Sequence, residues 1–537
     1  MHKSGRLRRF IKVGLILVGV GMAATFSFAD RPADATSATT LTVLDDPGNA
    51  GGFQSLVLDA VGNPVVSYLW SGAGPDKLRI LHCDDPNCDG LGESITAPAE
   101  ASAIFLDDGH AQTSIALDSL GNPVVAFIGL SAGVCCTRDV KLLHCDDPNC
   151  EGSGDTVTSP VTIGANLGGN GFVSLVLDAA GNPVISYKGD APFPNKTISI
   201  LHCNDPDCDG FDESITSPET DLTNDRSGHT SIALDGSGNP VVSYLYEGFG
   251  GPDAVRIMHC NDPDCAGDDE SITAYEILTV SQFSSTSLVL NSAGNPVVAW
   301  GEVGVWVLSC DDPNCDGTGE SPVLIDKTRL VGGPSLLLDE NDIPMVAFSN
   351  SRQSTIVRCG NQTCSSGNSI SVLGLDIGSN WDFGRTAAAL DALGNPVISF
   401  SDRHNINLAH CYESTCGNVD SDGDGCFDIL ELSTVHDGEY GGDRDPKNPW
   451  DFYDVLGPGA ALPLDQVIDL PNDILGVIQH FSPSGAPPYD VQFDRGRSSG
   501  PNMWNMTAPD GVIDLPNDIL GVIQQFGHNC QLFFTTP

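Results

Sequence analysis

The sequence predicts a mainly β protein: a seven-bladed β-propeller of four-stranded blades, closed by an N-terminal strand and followed by a small calcium-binding helical module. Three observations predict it. One segment recurs seven times, each copy is followed by a Cys-x4-Cys loop, and an acidic stretch with aspartates at every second position follows the last copy.

Residues 1–29 open with Lys3, Arg6, Arg8, Arg9 and Lys12 and no acid, continue in an apolar run from Val13 to Phe28, and end Ser27-Phe28-Ala29. Small residues at −3 and −1 suit signal peptidase, so this stretch reads as a cleaved secretory signal, with 30–38 as a leader linker. The competing reading is an uncleaved anchor; no other apolar run approaches the roughly 18 residues of a membrane span. Export to the medium or cell surface makes the 18 cysteines candidates for disulfides rather than reduced thiols. The 537 residues carry 71 acids against 24 bases, a net charge of −47. That field repels phosphate backbones and anionic headgroups, which excludes nucleic acid and membrane docking beyond the signal. Cations, cationic proteins and neutral ligands such as sugars remain. With 40% hydrophobic residues, the chain has the material for real cores.

The propeller is expected over 39–416. TSIALDSLGNPVVAF (113–127) recurs from Gln54, Val173, Thr230 and Thr286, and more weakly from Pro334 and Ala387. Each copy leads to an apolar run such as LRILHC, then the cysteine loop, then a run such as ESIT. Apolar runs of this length divided by turn chemistry give four short strands per repeat. In Asp-x-x-Gly-Asn-Pro, glycine accepts positive φ and proline opens a strand where its missing N–H is harmless. Seven such units form a propeller. The seventh repeat lacks its last run, and TTLTVLDD (39–46) stands ahead of the first repeat in the phase of that missing strand. An N-terminal strand completing the last blade would leave no open edge.

Fourteen cysteines form seven loop pairs: Cys83 with Cys88, Cys145 with Cys150, Cys203 with Cys208, Cys260 with Cys265, Cys310 with Cys315, Cys359 with Cys364, and Cys411 with Cys416. Cys135 and Cys136 are an extra vicinal pair, and Cys426 with Cys530 would tie the start of the tail to its end. Metal or haem is the sharper reading, since His82, His144, His202, His259 and His410 precede their loops. It is weak, because blades hold the loops apart and Cys-x-x-Cys-His is missing. Calcium at Asp84, Asp85 and Asp89 is also weak, because repeats six and seven lose the acids and keep the cysteines.

Residues 417–537 are expected to be the calcium module. In DSDGDGCFDILE, Asp420, Asp422 and Asp424 take loop positions 1, 3 and 5. Gly425 makes the turn, Cys426 lends its carbonyl at 7, Asp428 stands at 9 and Glu431 is the bidentate ligand at 12. Calcium is the implied cofactor. Downstream, VIDLPNDILGVIQHF (467–481) returns as VIDLPNDILGVIQQF (512–526). Ile474, Leu475, Val477, Ile478 and Phe481 form an apolar helical stripe, with Ile519, Leu520, Val522, Ile523 and Phe526 as its copy. Pro471 and Pro516 suit a first turn capped by Asp469 and Asp514.

The S-x-x-L-D-x-x-G-N-P-V-V-S-Y repeats resemble those of secreted bacterial propellers in the sialidase-like (BNR-like) group over about 40–416, and the tail resembles EF-hand/dockerin-type modules over about 418–530. The second resemblance implies calcium ligation at Asp510, Asp514 and Asn517 and a cohesin-like or cell-surface partner. The first implies the architecture. Sialidase chemistry would require an arginine triad, a Tyr/Glu nucleophile pair and S-x-D-x-G-x-x-W boxes. No such box occurs, and Arg79, Arg138, Arg226, Arg256, Arg329, Arg352, Arg358, Arg385 and Arg403 read as occupying no repeated phase. The expected function is therefore an exported, non-catalytic binding or scaffold protein whose propeller face takes a glycan or protein while a calcium-ordered tail tethers it. The alternative is an extracellular glycan-processing hydrolase or lyase. Asp59, Asp118, Asp178, Asp235, Asp339 and Asp391 recur in phase, which argues for a turn role. Departures from the repeat (Cys135, Cys136, Trp70, Trp300, Trp306, Trp381) are the places to seek a ligand.

Overall fold

Twenty-eight strands, β1–β28 in chain order, pair into seven antiparallel four-stranded sheets among the described residues. In the computed structural model these are residues 39–45, 49–71, 77–90, 92–98, 112–131, 137–164, 172–190, 196–210, 212–222, 229–247, 252–267, 269–277, 285–302, 304–327, 333–349, 354–374, 386–401, 406–411, 416, 424, 426, 431, 444–445, 448–455, 466–498 and 503–530. They belong to one unit, Ser37–Pro537. The expected signal and linker, the vicinal cysteines Cys135 and Cys136, Trp381, Asp420, Asp422 and Asp428 lie outside the described residues.

Blade one is typical: β2 (Asn49–Leu58), β3 (Pro64–Ser71), β4 (Lys77–His82) and β5 (Ser94–Thr96) lie in that order from the centre outward. Second strands are covered on both faces by neighbouring blades, so they read as apolar runs carrying a buried serine such as Ser243; in β15 (Pro240–Tyr246) all but the last residue are buried. The outermost strand has one covered face and alternates, as β17 (Ser271–Ile277) does between half-buried and exposed.

The innermost strands are joined by serine hydroxyls. Ser55, Ser114, Ser174, Ser231, Ser287 and Ser335 each accept, at 3.0–3.3 Å, from a backbone N–H of the next blade. This satisfies edge donors that face the axis. In blade seven the same position is Ala387, in β26 (Thr386–Leu390). Blades seven and one meet in an apolar cluster of Leu44, Leu56, Val66 and Tyr68 with Val397, Ile406 and Leu408. The fourth place of the seventh sheet is taken by β1 (Thr39–Asp45), antiparallel to β28 (Ile406–Cys411), with Leu41 opposite Ala409.

The tail carries a duplicated unit. A π-turn at Leu470–Ile474 continues into α1 (Leu475–Gln479), and another at Leu515–Ile519 into α2 (Leu520–Gln524). Proline lies in each first turn, and Asp469 and Asp514 cap them by accepting from Asn472 N and Asn517 N at 2.8 and 2.9 Å. Cys426 is bonded to Cys530. Val372, in β25 (Ser369–Gly374) of blade six, shares the tail's apolar cluster with Phe452, Tyr453, Ile468 and Phe493.

Candidate functional site

The recurrent aspartates are spent on turns. Asp59 Oδ1 accepts from Val61 N and Asn63 N at 2.9 and 2.8 Å, and Asp118, Asp178, Asp235, Asp339 and Asp391 repeat the pattern. The following glycine sits at φ 81–95° in five of these turns, a conformation that requires no Cβ clash. In blade six Asp342 takes its place at φ 58° and its carboxylate holds Ser292 of blade five.

The other oxygen, Oδ2, faces the histidine that ends the third strand: Asp59–His82, Asp118–His144, Asp178–His202, Asp235–His259 and Asp391–His410, all at 3.1–3.3 Å. Blade six substitutes Arg358, 2.7 Å from Asp339. Partial burial works against ionisation, but turn N–H groups and the histidine outweigh it, so the carboxyls of Asp118, Asp178, Asp235 and Asp391 lie below the ordinary range. The histidines are thus neighbours of carboxylates and not of the thiolates a metal reading would need.

All seven Cys-x4-Cys pairs are disulfides, each closed within its own loop. Cys83 is bonded to Cys88, Cys145 to Cys150, Cys203 to Cys208 and Cys260 to Cys265. Cys310 is bonded to Cys315, Cys359 to Cys364 and Cys411 to Cys416. These sulfurs are consumed as staples, so Cys150, Cys364 and Cys416 hold loops and are not sites for a ligand or metal. The expected vicinal pair, Cys135 with Cys136, lies outside the described residues.

The second cysteine of six loops has φ of 51–54°, closed by its own N–H to the carbonyl three residues back. The acids around the loop turn inward to cap it: Glu93 Oε2 accepts from Asp84 N, Glu213 from Asn204 N, Glu270 from Asn261 N and Glu320 from Asp311 N. Gly90 and Gly92 leave room for Asp84, since a Cβ on either would lie within 2.4 Å of its carboxylate. Burial and then neighbouring acids push Glu93 and Glu270 upward.

Register corrects the reading of the arginines. Tyr68 lies opposite Arg79, Phe127 opposite Lys141, and Tyr244 opposite Arg256, while Trp300 faces Trp306, Phe348 faces Thr355 and Phe400 faces Asn407. Arg79, Lys141 and Arg256 therefore share one phase, three residues before the histidine. Spacing counted from the histidine rather than from the first strand would have found it.

Between blades three and four, Glu219 accepts from both Tyr244 Oη (3.2 Å) and Arg256, whose guanidinium lies over the Tyr246 ring at 3.5 Å. The Tyr/Glu/Arg combination that sialidase chemistry uses is present, but Tyr244 is 0% exposed and burial followed by Glu219 holds its phenol well above the usual range. It is an interior brace. Trp300 is also interior, with Trp306 parallel to it at 6.4 Å, so Trp300 offers no face to a sugar. Trp70 is half-buried under Arg79, 4.3 Å from its ring.

In the tail, Asp424 is buried and accepts from Cys426 N (2.8 Å) and Phe452 N (3.1 Å). Glu431 is buried too, and both carboxylates lie in the field of buried Arg444. Asp510 accepts from Val512 N in a turn, while Asp514 and Asn517 are joined as a helix cap. Sequence reading missed Asp473 and Asp518, both 0% exposed. Asp473 accepts from Val455 N and Asp469 N, and Asp518 from Arg495 N, Asp514 N and Tyr453 Oη. Burial pushes the Asp518 carboxyl up to about 6, and burial with Arg444 drives His528 down to about 4. The expected stripe divides: Ile474, Val477 and Val522 enter the core, whereas Leu475, Ile478, Phe481 and their copies Leu520, Ile523 and Phe526 stay 40–59% exposed.

No protein-family model and no curated protein matches the sequence. Solved structures are similar to it. A protein of unknown function from Dyadobacter fermentans is 11% identical, with 70% of this chain and 98% of that chain covered and a TM-score of 0.41. A polysaccharide lyase described as an ulvan lyase is 12% identical, with 70% and 96% covered and a TM-score of 0.43. An α-L-arabinofuranosidase from Fusarium graminearum is 9% identical, with 69% and 97% covered and a TM-score of 0.40. Such likenesses carry no argument about activity.

Proposed function

We propose that this chain is an exported, non-catalytic binding or scaffold protein: the propeller takes a glycan or protein, and the tail is a calcium-stiffened tether. The observation that carries this reading is the engagement of the in-phase carboxylates. A glycosidase needs two acids about 5–9.5 Å apart and open to substrate, whereas these six each hold a turn, and five a histidine. Disulfides in every blade favour an oxidising, extracellular setting. Among the described residues, no helix is long and apolar enough to cross a membrane.

Calcium is supported by charge. Among the described residues of the tail, Asp424, Glu431, Asp451, Asp454, Asp473, Asp494 and Asp518 are buried against Arg444 and Arg495. An excess of buried negative charge is costly unless a cation offsets it, and hard oxygen donors suit calcium. Asp424 and Glu431 would serve with Asp420, Asp422, Asp428 and the Cys426 carbonyl; Asp510, Asp514 and Asn517 are the second set. The tethering partner, cohesin-like or another cell-surface protein, would meet the uncharged stripe of Leu470, Leu475, Ile478 and Phe481 or its copy from Leu515 to Phe526, since interface centres are apolar and poor in charge.

The test is a glycan array read for binding and for product release, run with the full chain in calcium and in chelator. Binding without new reducing or unsaturated ends is expected, together with a higher melting temperature in calcium. Product release would replace this reading with the hydrolase or lyase. Identical melting in chelator and calcium would remove the calcium.

A further inference from the structure

Resting on the binding reading above, we propose that the end of the ring carrying the cysteine loops docks a cationic protein segment. Three apolar turn tips on blades seven, one and two anchor that segment, and the acidic loops beside them take its lysines and arginines. Among the described residues the most exposed large hydrophobic side chains are Leu393, Leu120 and Val61, at 85, 78 and 77%. They are not scattered. Each is the third residue of its blade's Asp-x-x-Gly turn, and blades seven, one and two are successive in the ring. In the other four blades the same place holds Ala180, Ser237, Ala293 and Asn341. Repetition accounts for the turn but not for a hydrophobe confined to one arc of it. The tips are also held ready. The N–H groups of Val61, Leu120 and Leu393 each donate to the turn aspartate at 2.8–2.9 Å, and the glycine that follows lies at φ 81–95°. A backbone fixed before binding has little freedom left to lose when its side chain is covered.

Hydrogen bonding places an acidic loop beside each tip. Antiparallel strands bring the first turn and the loop after the third strand to one end of the blade. There the histidine closing the third strand faces its own turn aspartate through Nε2, at 3.2–3.3 Å for these three blades. Its Nδ1 crosses the seam to a receiver in the next blade's cysteine loop. His410 joins the Leu393 turn to Asn87, His82 joins the Val61 turn to Asn149, and His144 joins the Leu120 turn to Asp207, at 2.8–2.9 Å. Each tip therefore borders the loop of the following blade. Those loops, 84–96, 146–158 and 204–216, hold four, four and five acids and no Lys or Arg. Asp84, Asp89, Asp146, Glu151 and Asp209 among them are exposed.

Charge and chemistry together choose the occupant. A second copy of this chain carries the same negative field, and nucleic acid or an anionic bilayer is repelled by it. Aliphatic tips offer a sugar neither hydrogen bonds nor an aromatic face. An apolar centre with a charged rim is the anatomy of a protein interface, and the rim here selects its complement. The partner is a protein segment in which lysine or arginine is interspersed with apolar side chains.

The test is binding of the full chain to three synthetic peptides of equal length, measured by calorimetry at low and high salt. One intersperses lysine with leucine, one carries serine in place of leucine, and one carries glutamine in place of lysine. The lysine–leucine peptide should bind, more weakly as salt rises, and the other two on the order of tenfold or more less tightly. The variant Val61→Ser/Leu120→Ser/Leu393→Ser should bind the lysine–leucine peptide no better than the lysine–serine one. Its melting temperature should match wild type, because the tips lie outside the core. Asp89→Asn/Glu151→Gln/Asp209→Asn should weaken the lysine–leucine peptide and flatten its salt dependence. A tip variant that binds like wild type, or a wild type indifferent to the loss of leucine, would overturn the docking surface. Self-association of wild type that the tip variant abolishes would give the arc to a second copy and overturn it equally. Glycan binding by a wild type that ignores all three peptides would remove the cationic partner and leave the binding reading standing.

Discussion

Asp178 shows how much one side chain can carry: one oxygen closes a turn through two N–H groups, and the other holds the histidine that crosses to the next blade. Replacing it with alanine should cost about 1–3 kcal/mol, the range for a hydrogen-bonded charged group, read as a lower urea midpoint. The acid limb belongs to the same residues. The folded carboxyls of Asp118, Asp178, Asp235 and Asp391 lie below their unfolded values. Their stabilisation is therefore complete above the unfolded value of about 3.9 and is lost as pH falls through the folded one. Acid titration followed by circular dichroism should place the onset of unfolding below the ordinary aspartate range, and alanine at all four should move it up. Tyr244→Phe addresses the nucleophile question. As an interior brace it should lower stability by about 1 kcal/mol and leave any glycan binding unchanged; loss of binding in a folded variant would reopen the catalytic reading. These residue roles were half legible. The turn aspartate reads directly from Asp-x-x-Gly-Asn-Pro, but its histidine is some 20 residues on and the receiver lies in another blade, so proximity exists only after the ring forms.

At the scale of the strand, the repeat foretold blade number, strand number and disulfide pairing, because each is local and recurs seven times. What repetition hides is the join. Six innermost strands hand a serine hydroxyl to the next blade, and Ala387 stands at the seventh place, where the first and last blades meet. Ala387→Ser should supply the missing acceptor to Leu56 N–H and raise stability by about 0.5–1.5 kcal/mol, a gain visible as a higher melting temperature. An unchanged or lower value would mean that apolar packing alone sets this seam. The partner experiment removes β1 (Thr39–Asp45), which pairs along β28. If that strand closes the ring, the shortened chain should expose an unpaired edge, melt lower and associate with concentration; a monomer of wild-type stability would show that the ring holds without it. The tail was less legible. Its apolar periodicity announced helices, but one stripe serves two environments, with Val477 and Val522 inside and Ile478 and Ile523 outside. Hydrophobicity alone does not encode that division.

Over the whole molecule, stabilisation is distributed unevenly. Seven disulfides each close a five-residue separation, while the bond from Cys426 to Cys530 closes 104. In the chain-entropy account the long closure restrains the unfolded state by roughly 4.7 kcal/mol, far more than any single short loop. The tail depends on it doubly, because the same bond holds the acidic loop at Cys426 against the end of the duplicated helical unit. Val372 of blade six gives the tail its place on the propeller through the cluster with Phe452 and Ile468. Two substitutions should therefore separate in calorimetry. The pair Cys426→Ser/Cys530→Ser should lower the tail's unfolding and its response to calcium while the propeller transition, held by its own disulfides and seams, stays in place. Val372→Ala should cost roughly 2 kcal/mol and split one transition into two, the tail melting first. If both variants instead lower a single transition by the same amount, the tail is an integral part of the ring's stability and the tether should be sought elsewhere in the chain.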